Sequence, residues 1–376
     1  MNGPILVLNC GSSSIKFALF DADADGPPRQ ARWTGKLDGI GGEKRPYAAA
    51  LQEVRAAVER QTGGVPPAAI AHRVVHGGTK YAAPVRLDAA VLADLKGYVP
   101  LAPLHQPYAL QAIEVLLAEL PNMPQVACFD TAFHRTLPQV ENMLPLTYEH
   151  WERGVRRYGF HGLSYEYMAI ALAERHGDAA RGRTIVAHIG SGASLCAMQE
   201  LQSVATTMGF SALDGLMMGT RCGSLDAGVL LYLMQSEKMG AGDLAQLLYR
   251  QSGLLGVSGV SSSPQVLLEA EIRNPRARAA LELYVRRIVR EIGALTAVLG
   301  GLDMLAFTAG VGEHSAVLRG RICAALGWLG IELDDQANAT HAQTISRAGS
   351  RVRVAVEPTD EEWIAASHAW RVLRRP

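Results

Sequence analysis

Two stretches far apart in this chain share one design. Val7-Leu8-Asn9-Cys10-Gly11-Ser12 and Val186-Ala187-His188-Ile189-Gly190-Ser191 each carry an apolar run of β type into a Gly-Ser turn. Each turn is followed by a second β-type run, Ile15 to Phe20 in the first case and Ser194 to Met198 in the second. The two can be superposed by eye, which restricts the chain to folds with an internal duplication. A third glycine turn, Gly310-Val311-Gly312, follows the strand-like Met304 to Thr308 and precedes a helical run from Glu313 to Leu326.

Between these landmarks strands and helices alternate. Helical patterns cover Ala48 to Arg60, Asp88 to Tyr98, Tyr108 to Leu120, Leu225 to Gln235 and Arg276 to Leu299, and apolar runs mark strands at Ala68 to Val75, Val126 to Phe129, Thr184 to Ile189 and Val352 to Val356. Asp21 to Arg45, rich in Gly, Pro and charge, is expected to be loop. Alternation of this kind predicts an α/β protein. A length of 376 residues favours two domains. Thirty-six basic residues balance 36 acidic ones, so nothing suggests a clustered basic surface for nucleic acid or membrane, and the expected partner is a small molecule.

Cys10, Cys128, Cys196, Cys222 and Cys323 are odd in number and never form a Cys-x-x-Cys pair, a usage that fits reduced thiols in the cytoplasm. No signal peptide is expected from the first residues. The longest apolar stretch, 294–312, is interrupted by glycines and Asp303, so no membrane span is expected.

Three glycine turns at strand ends suit polyphosphate, which needs several backbone N–H groups converging where no side chain intrudes. Neither a P-loop nor a Gly-x-Gly-x-x-Gly fingerprint is present. Lys16 lies two residues beyond the first turn, where phosphate contact and solvent exposure are both open to it. Arg73, within Ile70 to Val75, and Arg221, within Met218 to Ser224, sit among apolar residues and glycines, so each needs an anionic partner: a structural carboxylate or a substrate. Asp130 ends the run Val126 to Phe129, a position that commonly faces a ligand crevice in α/β proteins. His105, His134, His161 and His188 lie beside turns or strand ends, and His72-x-x-x-His76 falls in a strand, which speaks against zinc. Glu361-Glu362 opens the last helix, either as a solvated helix start or as a Mg²⁺ ligand.

In this order, eight segments closely resemble the acetate kinase family, within the larger group of sugar kinases, actin and heat-shock chaperones. They are Asn9 to Lys16, His72 to Gly78, Leu101 to His105, Phe129 to His134, Tyr158 to Gly162, Met218 to Ser224, Phe307 to Glu313 and Pro358 to Glu362. The resemblance implies a duplicated two-domain actin-like fold with its active site in a cleft between domains. Residues 1–131 with 358–376 would form the first domain, and 132–357 the second, with the nucleotide and dimer contacts. It implies direct in-line transfer of the γ-phosphoryl group of ATP to acetate, giving acetyl phosphate and ADP. Mg²⁺ would assist, with Mn²⁺ able to replace it.

The resemblance also distributes roles. Arg73, Asp130, His161 and Arg221 would be catalytic; Arg73, Val75, Leu104, His105, Phe160 and Ala212 would line the acid site. Asn9, Ser12, Ser14, Lys16, His188, Gly190, Gly192, Gly310 and Gly312 would follow the phosphates, and Asn9 and Glu361 would organise the metal. Three departures from the family pattern bear on specificity. Ser191 stands where Asn is usual, Ser263-Pro264-Gln265 stands where an Asp-x-Arg near the base is usual, and Ala212 replaces the usual proline of the acyl pocket. The segment between Phe20 and Arg73 is also shorter than usual. Propionate or butyrate as the acid, GTP or pyrophosphate as the donor, and a non-catalytic nucleotide-binding protein of the same fold are the competing expectations.

Overall fold

The computed structural model describes residues 3–40, 45–103 and 105–374. The chain divides into two compact units, Met1–Arg135 with His161–Tyr167 and Asp360–Pro376, and Thr136–Phe160 with Met168–Thr359.

In the first unit the described strands are β1 (Gly3–Cys10), β2 (Ser14–Ala22), β3 (Trp33–Asp38), β4 (Ala69–Val74), β5 (Val85–Arg86) and β6 (Gln125–Phe129). They form one sheet in the order β3-β2-β1-β4-β6-β5. β1 and β2 make an antiparallel hairpin closed by Cys10 opposite Ile15, while β1, β4 and β6 run parallel. Helices α1 (Tyr47–Thr62) and α3 (Gln106–Glu119) pack on one face, in a core that includes Leu8, Ile15, Leu51, Val54, Ile70 and Leu116. A third helix, α2 (Ala89–Gly97), is capped by the Asp88 side chain. The helix Glu361–Arg374 covers the other face, where Cys128 Sγ reaches Ala365 O at 3.7 Å. β1 and β4 are buried on both faces, which is why they appear as unbroken apolar runs.

The expected loop from Asp21 to Arg45 contains β3. Its burial alternates residue by residue, as an edge strand with one solvated face requires. Gly35 leaves room for the Phe17 ring on the neighbouring strand: a Cβ there would lie 2.4 Å from the ring, which would have to shift.

In the second unit β7 (Thr184–Ile189), β8 (Ala193–Gln199), β9 (Gln202–Thr206), β10 (Met304–Thr308) and β11 (Arg353–Val356) form a sheet in the order β11-β10-β7-β8-β9. The β7–β8 hairpin repeats the β1–β2 design, with Ile189 opposite Ala193. The long helix α4 (Pro275–Leu299), N-capped by the Asn274 side chain and ended at left-handed Gly300, buries Leu281, Ile288 and Ile292 at helical spacing. The expected helical run from Glu313 to Leu326 is instead two helices, α5 (Ala309–His314) and α6 (Ala316–Ala325), separated by Ser315 at φ −105°, ψ 85°. Gly310-Val311-Gly312 therefore belongs to the first turn of α5 rather than to a free turn.

Candidate active site

The first unit gathers its polar side chains at the carboxyl ends of β1, β4 and β6. Leu8 is level with His72, so Asn9 is level with Arg73 on the adjacent parallel strand; Arg73 is level with Cys128, and Asp130 follows two residues later, just past the end of β6. Asn9 also pairs with Lys16 across the hairpin, which puts both on the face covered by the helix Glu361–Arg374.

Arg73 is the centre of this group. Its Nε donates to Asp130 Oδ1 and Oδ2 at 2.9 and 3.1 Å, its Nη2 to Asp130 Oδ2 at 2.8 Å and its Nη1 to Glu361 Oε2 at 2.5 Å. Burial alone would lower its pKa, but the carboxylates of Asp130, Glu361 and Glu362 outweigh that and raise it. Burial lifts Glu361 to about 7; Arg73 opposes the rise, and Asp130 and Glu362 add to it. Three carboxylates thus crowd one buried guanidinium, an excess of negative charge that suits a divalent cation. Mg²⁺ is commonly held by one or two carboxylates plus phosphate and water, so the donor set fits it.

His161 sits in the same unit with φ 58°, a left-handed conformation costly for a residue with a Cβ. Its neighbour Gly162 explains the placement: Gly162 N donates to Asp130 O at 2.7 Å, and a Cβ there would lie 2.2 Å from that oxygen. His161 is therefore pinned to the backbone that carries Asp130. Ser12 is exposed at the hairpin tip and Ser14 half-buried, and Gly11 N closes the turn onto Ser14 O at 2.9 Å. The turn is clasped from the end of β3, where Gly39 N donates to Ser13 O at 2.9 Å. Val75 and His105 are half-buried, and Leu104 lies outside the described residues. His72, expected to lack a metal role, is buried and bonded through Nε2 to Gln125 Oε1 at 2.8 Å; burial lowers it to about 4.

In the second unit the second and third glycine segments meet. His188 and Thr308 are level at the ends of parallel β7 and β10. A Cβ on Gly190 would lie 3.5 Å from Ala309 Cβ and 3.8 Å from His188 Nε2. Gly190 N donates to Gly192 O at 3.0 Å, Gly310 is exposed with open space where a Cβ would be, and Gly312 is buried. Ala309 has φ 65°, the other strained non-glycine residue at this group of motifs. Glu313 was not expected to matter, yet its Oε1 accepts from Thr308 Oγ1 at 3.5 Å and from Thr359 N at 3.3 Å. It ties the end of β10 to the segment before Asp360; its place at the end of the segment Phe307 to Glu313 was the available signal.

Arg221 lies on a loop fixed by backbone bonds, Met218 N to Arg221 O at 3.0 Å and Leu254 N to Met218 O at 2.9 Å. Gly253, at φ 61°, must be glycine because a Cβ would lie 2.2 Å from Met218 O. The half-buried Arg221 guanidinium donates through Nη1 to Ala212 O at 2.8 Å. Among the described residues no carboxylate comes within ion-pair distance of it, and burial lowers its pKa. Arg73 has structural carboxylates; among the described residues Arg221 has none. Phe160 is buried, and Ser263 is the N-cap of the helix Pro264–Ala270.

The sequence profile described as the Acetokinase family matches residues 4–367. The chain belongs to that family. An acetate kinase of Rhodopseudomonas palustris (strain ATCC BAA-98 / CGA009) is 47% identical over 395 aligned residues, covering 99% of each chain. One of Rickettsia akari is 40% identical, covering 99% of this chain and all of its own. Among solved structures, acetate kinase from Porphyromonas gingivalis superposes with a TM-score of 0.88 at 35% identity, over 99% of this chain and all of the other. A propionate kinase from Francisella tularensis gives 0.90 at 32%, over 97% of this chain and 98% of the other. This chain shares its fold with both solved structures. Among the described residues no helix is long and apolar enough to cross a membrane.

Proposed function

We propose that this acetokinase transfers the γ-phosphoryl group of ATP to acetate, producing acetyl phosphate and ADP. The observation that carries the reading is Arg221: a half-buried guanidinium held by a backbone carbonyl, with no carboxylate partner among the described residues, is suited to an anionic reactant. The two relatives named acetate kinase, matched over their whole lengths, support acetate as the acid.

A carboxylate is already a nucleophile, so the protein has no need of a strong base; position and neutralisation of charge supply the rate. Arg221 neutralises the equatorial oxygens of the transferring group and Arg73 holds the acid, with Asp130 fixing the Arg73 fork by its three hydrogen bonds. His161, fixed in its strained conformation, hydrogen-bonds the transferring group. Val75, His105, Phe160 and Ala212 line the acyl end. Asn9, Ser12, Ser14, Lys16, His188, Gly190, Gly192, Gly310 and Gly312 follow the phosphates. Asn9 and Glu361 would hold Mg²⁺, which supplies charge neutralisation on the phosphate oxygens when bound.

The helix Ala227–Gln235 has no buried residue and exposes Val229, Leu231, Tyr232 and Met234, which supports a homodimer joined through the second unit. The five unpaired cysteines support a cytoplasmic protein.

The same chemistry on propionate is the second reading, supported by Ala212 in place of proline and by the likeness to a propionate kinase. One assay separates them: trapping acyl phosphate with hydroxylamine from acetate, propionate and butyrate, each with Mg²⁺ and ATP, GTP or pyrophosphate. The reading expects the highest kcat/KM with acetate and ATP. Higher values with propionate would transfer the assignment to that acid, and no hydroxamate from any pairing would refute the kinase reading.

A further inference from the structure

Gln106 is fully buried at the start of α3, and its side-chain amide bonds both polar groups of one residue. Its Oε1 accepts from His76 N at 3.1 Å and its Nε2 donates to His76 O at 2.9 Å. The amide does for His76 what a neighbouring strand would do, just where β4 has run out of ladder partners. Two residues earlier the last ladder contact is Asp130 N to Val74 O at 3.1 Å, so Val75 is suspended between two tethers. The segment is then turned by Gly78 N donating to His76 Nδ1 at 2.8 Å. At its other end, Gln106 directly follows His105 in the chain.

One side chain therefore joins the segment bearing Arg73 and Val75 to the segment bearing His105. An apolar residue of the same size would leave a buried N–H and a buried C=O unpaired, and an ionised carboxylate would satisfy only the N–H, whereas the amide supplies a donor and an acceptor together. Both functional segments belong to the first unit.

We propose that Gln106 is a specificity-determining positioning residue: its two hydrogen bonds to His76 fix the separation of the Val75 and His105 segments and so the room for the acyl end of the acid. The inference rests on the carboxylate-kinase reading and deepens it.

Gln106→Glu tests it, because the ionised side chain can accept from His76 N but cannot donate to His76 O, whereas the neutral acid restores both bonds. The readout is kcat/KM for acetate and for propionate by hydroxamate trapping with Mg²⁺-ATP, each ratio divided by that of wild type at the same pH. At about pH 8 the acetate-to-propionate ratio should change about tenfold, the range one methylene can command, while KM for ATP stays within about twofold. At about pH 6 the ratio should return toward that of wild type. Gln106→Asn, which keeps the amide but shortens it by one methylene, should change the ratio without the pH dependence and serves if the glutamate variant does not fold. Unchanged ratios in a folded variant, or equal losses for both acids together with a raised KM for ATP, would overturn the inference. Wild-type protein that makes no acyl phosphate would overturn the underlying reading instead, so the two failures are distinguishable.

Discussion

Replacing Arg73 with methionine should destabilise the protein strongly at neutral pH and far less in acid. In the wild type Arg73 satisfies Asp130 with three hydrogen bonds and Glu361 with one, and the two carboxylate side chains are only 5% and 14% exposed. Methionine preserves bulk but leaves two like charges buried together. Breaking one partner from such a pair costs about 3–5 kcal/mol. The sign with pH follows from proton binding. Glu361 is already raised to about 7 and loses the guanidinium that opposes the rise, so the folded variant holds a proton that the unfolded chain has released, and its stability falls as pH rises through the carboxyl range toward neutrality. The deficit relative to wild type should thus be about 3–5 kcal/mol near pH 8 and shrink to about 1–2 kcal/mol near pH 5, where protonation relieves the repulsion. Urea unfolding followed by circular dichroism at several pH values measures it. A deficit that is constant with pH, or below about 1 kcal/mol at pH 8, would refute the view that Arg73 is the counter-charge of this cluster.

Three further outcomes follow from the site. Arg221→Ala should lower kcat by roughly 10³-fold with little change in thermal stability, by the magnitude typical of charge-stabilising arginines in phosphoryl transfer; near-normal turnover would remove Arg221 from the mechanism. Gly162→Ala should cost about 1–3 kcal/mol and at least about tenfold in kcat, since its Cβ would lie 2.2 Å from Asp130 O and force apart the backbone holding His161 and Asp130; a fully active variant would contradict that coupling. His72 is held neutral with a pKa near 4 against an ordinary 6.5, so its stabilising contribution is complete above pH 6.5 and is lost as pH falls toward 4, about 2 kcal/mol by pH 5. His72→Gln should flatten stability against pH across that window, and an unchanged slope would disprove the assignment.

The parts of the fold most legible in the sequence were those whose residues are buried on every side. β7 and β10 announced themselves as unbroken apolar runs, with the bounds expected from the sequence. β3 did not, although its alternation is regular, because the Gly, Pro and charged residues around it mask a strand whose outer face is solvated. The break at Ser315 was likewise hidden, since Ser315 interrupts a continuous helical composition by backbone angle alone. At the site, the glycine turns and both arginines could be picked out because each residue type is unusual in its local setting. Composition and spacing alone left their partners open, although the resemblance had Asp130 orient Arg73 or the acid. Asp130 lies 57 residues from Arg73 and Glu361 lies 288 away, so which arginine finds a carboxylate and which lacks one is decided only by the folded chain. Gln106 gave no signal at all, because a glutamine opening a helix looks solvated until its amide is seen bonded to a strand end.

The central claim is that the phosphoryl group passes directly from nucleotide to carboxylate, with the protein supplying position and charge. The stereochemical course measures this most directly: ATP made chiral at the γ-phosphorus with oxygen isotopes, turned over with acetate, and the configuration of the acetyl phosphate determined. A single in-line transfer predicts inversion, whereas retention would require a phosphoenzyme and contradict the account.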